Sequence, residues 1–140
     1  MRPIAFVFCL LAATGCDEKG AAGPTGPTGP TVPLNQQFTL APGEAAAIER
    51  TGLRVQFIRV MADSRCPADA ICIWVGDANV HVRVFEGTAT SDYDLHTFNS
   101  EQSTIDHGGT RISLVQLQPY PFSSRTIQPS DYRATLQVRR

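Results

Sequence analysis

The chain has 140 residues and is close to charge balance, with 12 Lys+Arg against 13 Asp+Glu. That length is one domain's worth. The charge excludes both the basic footprint of a nucleic-acid binder and a polyacidic disordered chain, and no apolar run reaches the roughly 18 residues of a membrane-spanning helix.

The first residues read as an address. Met1-Arg2-Pro3 supplies one positive charge, and Ile4 to Ala13 then runs without a charge. This is the length of a signal-peptide apolar region. Ala13-Thr14-Gly15-Cys16 follows. These four residues resemble the lipobox of bacterial lipoproteins, with Ala13 standing where Leu is commoner. The resemblance implies cleavage before Cys16, a diacylglyceryl group on its thiol and acylation of the new amino terminus. Several acyl chains on one residue anchor stably, where one chain binds only marginally. The implied location is the cell envelope, on the periplasmic side of a membrane or at the cell surface. Cys9 falls in the removed segment, which leaves Cys66 and Cys72 as an even pair. In an exported chain such a pair predicts a disulfide.

A tether occupies residues 16–33. Asp17-Glu18-Lys19 is charged, and Lys19 is the only lysine in the chain. Four Gly-X-Y triplets then begin at Gly20, Gly23, Gly26 and Gly29, three of them Gly-Pro-Thr. The period is that of collagen. Four triplets supply few interchain hydrogen bonds, so a disordered linker and a monomeric protein are expected, with a short trimerising triple helix as the alternative. At about 3.1 Å per residue the linker holds the domain some 50 Å from the bilayer at most.

Residues 34–140 read as all-β. Leu53, Val55 and Phe57 alternate with Arg54 and Gln56, and Val80, Val82 and Val84 alternate with His81 and Arg83. Tyr132, Ala134, Leu136 and Val138 repeat the pattern near the C-terminus. Apolar-in, polar-out alternation marks half-buried strands. Weaker strands are expected at Gln36–Leu40, Ala45–Arg50, Ile71–Val75, Asp92–Phe98, Ser103–Asp106 and Arg111–Gln118. Adjacent apolar pairs at Phe57-Ile58 and Leu114-Val115 predict bulges. Only Ala45–Arg50 is a helix alternative, and it is short for one. Up to nine short strands predict an antiparallel two-sheet β-sandwich, Ig-like or similar, with a small closed barrel as the alternative.

One stretch is distinctive. Asp63, Ser64, Arg65, Cys66 and Pro67, then Cys72, Trp74 and Gly76, form a D-S-R-C-P…C-x-W-x-G core. It resembles a group of small exported bacterial proteins and lipoproteins, and the resemblance implies a fold and an address, not a reaction. Physically it reads as a loop stapled by a seven-residue ring, with about 2–2.5 kcal/mol of chain-entropy stabilisation. Arg65 is expected to stack on Trp74 or pair with Asp63. The loop is either a braced corner or a braced binding loop.

No catalytic motif stands out. His81, His96 and His107 lack metal-ligand spacing, and Asp92 with Asp94 is too small a set for Ca²⁺. No metal, cofactor or catalytic residue is therefore assigned. The strandless stretch from Pro119 to Asp131 carries Tyr120, Phe122 and Arg125, an aromatic-plus-Arg set suited to protein or sugar contact. With Arg65 and Trp74 these are the candidate binding residues. The expected function is a non-enzymatic binding or structural module on a lipid anchor, its partner an envelope protein or a glycan. The rival readings are an exported protease inhibitor, or a hydrolase built from dispersed Asp63, Asp77, His81 and His107.

Overall fold

A computed structural model describes residues 28–140. The apolar leader, Cys16 and most of the tether lie outside the described residues. The strands are β1 (Thr31–Val32), β2 (Gln37–Leu40), β3 (Ala45–Ile48), β4 (Leu53–Asp63), β5 (Ala78–Glu86), β6 (Ala89–His96), β7 (Thr104–His107), β8 (Thr110–Gln118) and β9 (Arg133–Arg139). They form two sheets, ordered β1-β3-β4-β5-β6 and β2-β9-β8-β7. The fold is an all-β sandwich, and every strand pair is antiparallel except β1 with β3.

The alternation sets what is buried. Val55, Phe57, Val80, Val82, Val84 and Leu95 from one sheet meet Ile112, Ala134, Leu136 and Val138 from the other, all essentially inaccessible. Both expected bulges are present: the β4–β5 register shifts between Phe57 and Arg59, and the β8–β9 register between Leu114 and Gln116. In β8 the extra residue turns Val115 outward and brings Leu117 back into the core. In β4 a second shift follows between Val60 and Ala62. The strand thus runs on past the core and carries Asp63 to one end of the sandwich. Ala45–Ile48 is a strand, not a helix.

Two expectations are corrected. Residues 71–75 form no strand and lie in an exposed loop. Their alternation has apolar groups on both faces, and the Cys66–Cys72 ring curls the chain away from any neighbouring strand. Strand β6 also begins at Ala89, three residues before the expected start, because Glu86 pairs Ala89 across a tight hairpin.

The sheet reaches back before residue 34. The Ala47 N–H donates to Pro30 O at 2.9 Å and the Glu49 N–H to Val32 O at 3.0 Å, so Pro30 to Val32 belong to the sheet. Gly29, the glycine of the last triplet, lies against this edge. A Cβ there would come within 1.6 Å of the Ala45 carbonyl oxygen. Its role in the described residues is close backbone approach. Gly29→Ala is expected to push β1 off β3 while the rest of the sandwich stays folded. Hydrogen exchange should then show faster exchange at the Ala47 and Glu49 amides and unchanged protection at Val82 and Leu136.

Candidate functional site

Three loops meet at the end of the sandwich where β4 finishes: residues 64–77, 97–103 and 119–132. The first has a neck that prolongs the β4–β5 ladder. The Ser64 N–H donates to Asp77 O at 2.7 Å, and the Cys66 N–H donates to Val75 O at 2.9 Å. Gly76 sits in this neck at φ +69°, and a Cβ there would strike Ser64 O at 1.9 Å. Only glycine fits such a left-handed position against backbone. Beyond the neck Cys66 and Cys72 are joined by a disulfide with Cα atoms 6.0 Å apart.

Arg65, expected as a contact residue, is buried, with a relative exposure of 7%. It is the hub that holds the loops. Its Nε donates to Asp63 Oδ1 at 2.8 Å and its Nη2 to Asp63 Oδ2 at 2.7 Å. The Nη1 donates to Leu117 O at 2.8 Å and Nη2 also to Pro119 O at 2.9 Å. The guanidinium lies 5.2 Å from the centre of the Tyr120 ring. Of the two expected partners it therefore takes Asp63, and its aromatic neighbour is Tyr120 rather than Trp74. The Tyr132 hydroxyl completes the group, donating to Asp63 Oδ2 at 3.0 Å. Burial opposes ionisation of Asp63, but the bonds from Arg65 and Tyr132 outweigh it and hold its carboxyl below the usual range. Burial and the adjacent Asp63 charge push Tyr132 up to about 12.

With Arg65 spent internally, a cluster of apolar side chains is left exposed at this end. Ile71 and Ile73 are almost wholly exposed, and Trp74 is 81% exposed. Val75, Phe98, Tyr120 and Phe122 are exposed beside them. Two shallow depressions of about 580 Å³ each adjoin here and share Arg65, Gly76 and Phe98 in their walls. The loop tip is also free of charge. Asp69 is the only ionisable side chain from Cys66 to Val75, and it turns back to accept the Ser123 N–H at 2.8 Å. The Ala68 N–H donates to Pro121 O at 2.9 Å, so the loop of residues 119–132 buttresses the first. Arg125 is exposed, and its backbone N–H closes a small bridge to Phe122 O at 3.1 Å. Phe98, Ile71 and Ile73 were not singled out from the sequence. For Ile71 and Ile73 the uncharged Ile-Cys-Ile-Trp-Val run was the only signal, and Phe98 had none.

Hydrogen bonds do not join any two of Asp63, Asp77, His81 and His107. His81 pairs with Asp94 across β5–β6 at 2.7 Å, and Arg83 holds Asp92 by two bonds. That pairing explains the two aspartates without a cation. His107 Nδ1 meets the Tyr93 hydroxyl at 2.8 Å. Asp77, on the rim of one depression, bonds the His96 ring at 2.5 Å. Its other oxygen accepts from Thr97 and from the Phe98 N–H. Burial raises the Asp77 pKa, and the His96 and Phe98 bonds more than reverse this, so the carboxylate stays ionised. Among the described residues no hydroxyl or thiol bonds the His96 ring, and no three His, Cys, Asp or Glu side chains gather closely enough to hold a metal ion.

Comparison of the chain with protein-family models, with curated proteins and with solved structures returns no match.

Arg65→Ala should destabilise the domain by about 3–5 kcal/mol, because it strands a buried carboxylate. Urea unfolding checks this. The pH dependence follows from the shifts. Asp63 is lowered from 3.8, so its contribution is present above about pH 4 and is lost as pH falls through the lowered value. Tyr132 is raised from 10.0 to about 12. Its contribution is complete below about pH 10 and is lost as pH rises through about 12. Asp63→Asn should flatten the acid limb of the stability profile.

Removing the disulfide by Cys66→Ala/Cys72→Ala should cost about 2 kcal/mol, the entropy of a seven-residue ring. The domain should still fold, since typical domains have about 5–15 kcal/mol in hand. Trp74 is exposed, so its emission maximum should barely move, while the loop 67–74 should become more sensitive to protease.

Proposed function

We propose that the chain is a lipid-anchored envelope protein whose sandwich is a non-enzymatic binding module, and that its contact surface is the disulfide-braced end. One observation carries this reading: an uncharged cluster of exposed Ile, Trp and Phe side chains stands on a frame of buried ionic and covalent ties. Soluble domains rarely leave such a cluster open unless it meets a partner. Pre-organisation lowers the entropy lost on contact. The address rests on the run Ile4–Ala13 and on Cys16. Arg65 supports the surface by positioning it. Trp74, Tyr120 and Phe122 make the contact, with Arg125 at its edge.

The rival hydrolase has one observation in its favour, the Asp77–His96 pair beside a depression. A carboxylate-oriented imidazole is half of a nucleophilic set. Asp77 Oδ1, however, accepts the backbone N–H groups of Thr97 and Phe98, which is the work of a loop brace.

Expression of Cys16→Ser in a bacterial host tests the address. The unaltered chain should be recovered with membranes and extracted only by detergent. The variant should be unprocessed or soluble, and a processed variant that still fractionates with membranes would contradict the anchor.

A further inference from the structure

All nine large hydrophobic side chains exposed among the described residues lie in the half of the sandwich toward the braced loop. The opposite end, built from the turns at 49–52, 86–89 and 107–110, exposes none. This polarity coincides with the direction in which the tether leaves.

The direction follows from strand pairing. Strand β4 runs toward the loop end, since its first residue Leu53 pairs Glu86 and its last residue Asp63 pairs Ala78 at the loop neck. Strand β3 is antiparallel to β4, with Ala45 opposite Gln56 and Ala47 opposite Arg54. Strand β1 is parallel to β3, with Thr31 opposite Ala47 and Val32 opposite Ile48. Traced backward from Val32, the chain therefore climbs toward the braced loop, and Gly29 is already level with Ala45. Eleven residues separate Thr28 from Cys16. Covalent geometry limits that span to about 40 Å. From the level of Gln56 to Asp63 is about 23 Å at 3.3 Å per strand residue, and the neck to Cys66 adds about 10 Å, so the base of the disulfide ring lies within the radius that the tether allows.

The geometry points to the bilayer itself as the occupant of this surface: we propose that the tip from Ala70 to Val75, with Phe98 beside it, inserts shallowly into the lipid surface to which Cys16 is fixed. The proposal rests on the anchor reading above. Its physical basis is threefold. The tip has no charge to desolvate. Ile71 and Ile73 offer side chains that already lack protein contacts. Trp74 is the residue type that settles at the level of the headgroups, its ring apolar and its N–H hydrated. Insertion is shallow because a loop backbone has polar groups that hydrocarbon leaves unsatisfied. Binding scales with the apolar area buried, and the tether multiplies it through effective concentration. The lipidated cysteine and the tip together orient the domain with its polar end outward.

The test uses the lipidated full chain in vesicles of phosphatidylethanolamine and phosphatidylglycerol, with and without bromine on the acyl chains. Flotation reports the anchor, and emission from Trp74, the only tryptophan, reports the tip. Flotation is expected together with a blue-shifted maximum and loss of about half the emission in brominated vesicles, as for an indole at the glycerol level. Ile71→Ser/Ile73→Ser, at exposed positions that leave folding untouched, should float equally and recover most of that emission. Flotation with an unshifted, unquenched Trp74 overturns membrane docking while sparing the anchor, and assigns the surface to a protein partner. A chain that does not float overturns the anchor, and the docking with it.

Discussion

The buried guanidinium of Arg65 is the constraint on which this end of the molecule turns. A charge this far from water must be matched nearly donor by donor. Asp63 supplies two oxygens from the end of β4, Leu117 a carbonyl from β8, and Pro119 another from the segment after it. Tyr132, just before β9, finishes the Asp63 carboxylate. One side chain therefore ties together elements of both sheets. Lysine could not replace it, because its compact ammonium lacks the planar fork that reaches a carboxylate and two carbonyls at once.

That tie explains how an apolar loop can stay open. A free loop rich in Ile, Trp and Val would fold back onto the nearest hydrophobic surface. Here the neck bonds at Ser64 and Cys66, the left-handed Gly76 and the disulfide each remove a way of doing so. The segment of residues 119–132 closes the remaining side through Pro121 and Ser123. The exposed side chains are held away from the core by bonds that are themselves polar or covalent.

The sequence revealed the sandwich wherever one face of a strand is buried and the other solvated, as in β4, β5 and β9. It revealed the bulges for the same reason, since two adjacent apolar residues break a period of two. The same rule misread Ile71–Val75, because alternation says nothing about whether a partner strand exists. It was silent on β1, whose two residues stand at the end of the Gly-Pro-Thr repeat and pair through backbone. Asp63 as a partner of Arg65 was visible from its spacing of two residues. Leu117 and Pro119 were not, because they lie more than fifty residues away and act through carbonyls, which carry no side-chain signature. The Asp77–His96 pair was hidden too, because its 19-residue separation spans the β5–β6 hairpin and no local spacing marks it.

The least conspicuous strand then has the largest consequence for orientation. Strand β1 adds little to the core, with only Val32 buried. Its parallel pairing with β3 nevertheless sets the end of the sandwich toward which the described chain leads back from Val32. An antiparallel β1 would send the preceding chain toward the turns at 49–52 and 86–89, where the surface is polar. The proposed anchor would then hold the braced loop away from the bilayer. Two hydrogen bonds, from the Ala47 and Glu49 amides, and the missing Cβ of Gly29 thus hold β1 in the direction on which the proposed docking depends. In a tethered protein the direction of the first strand is in this sense part of the binding site.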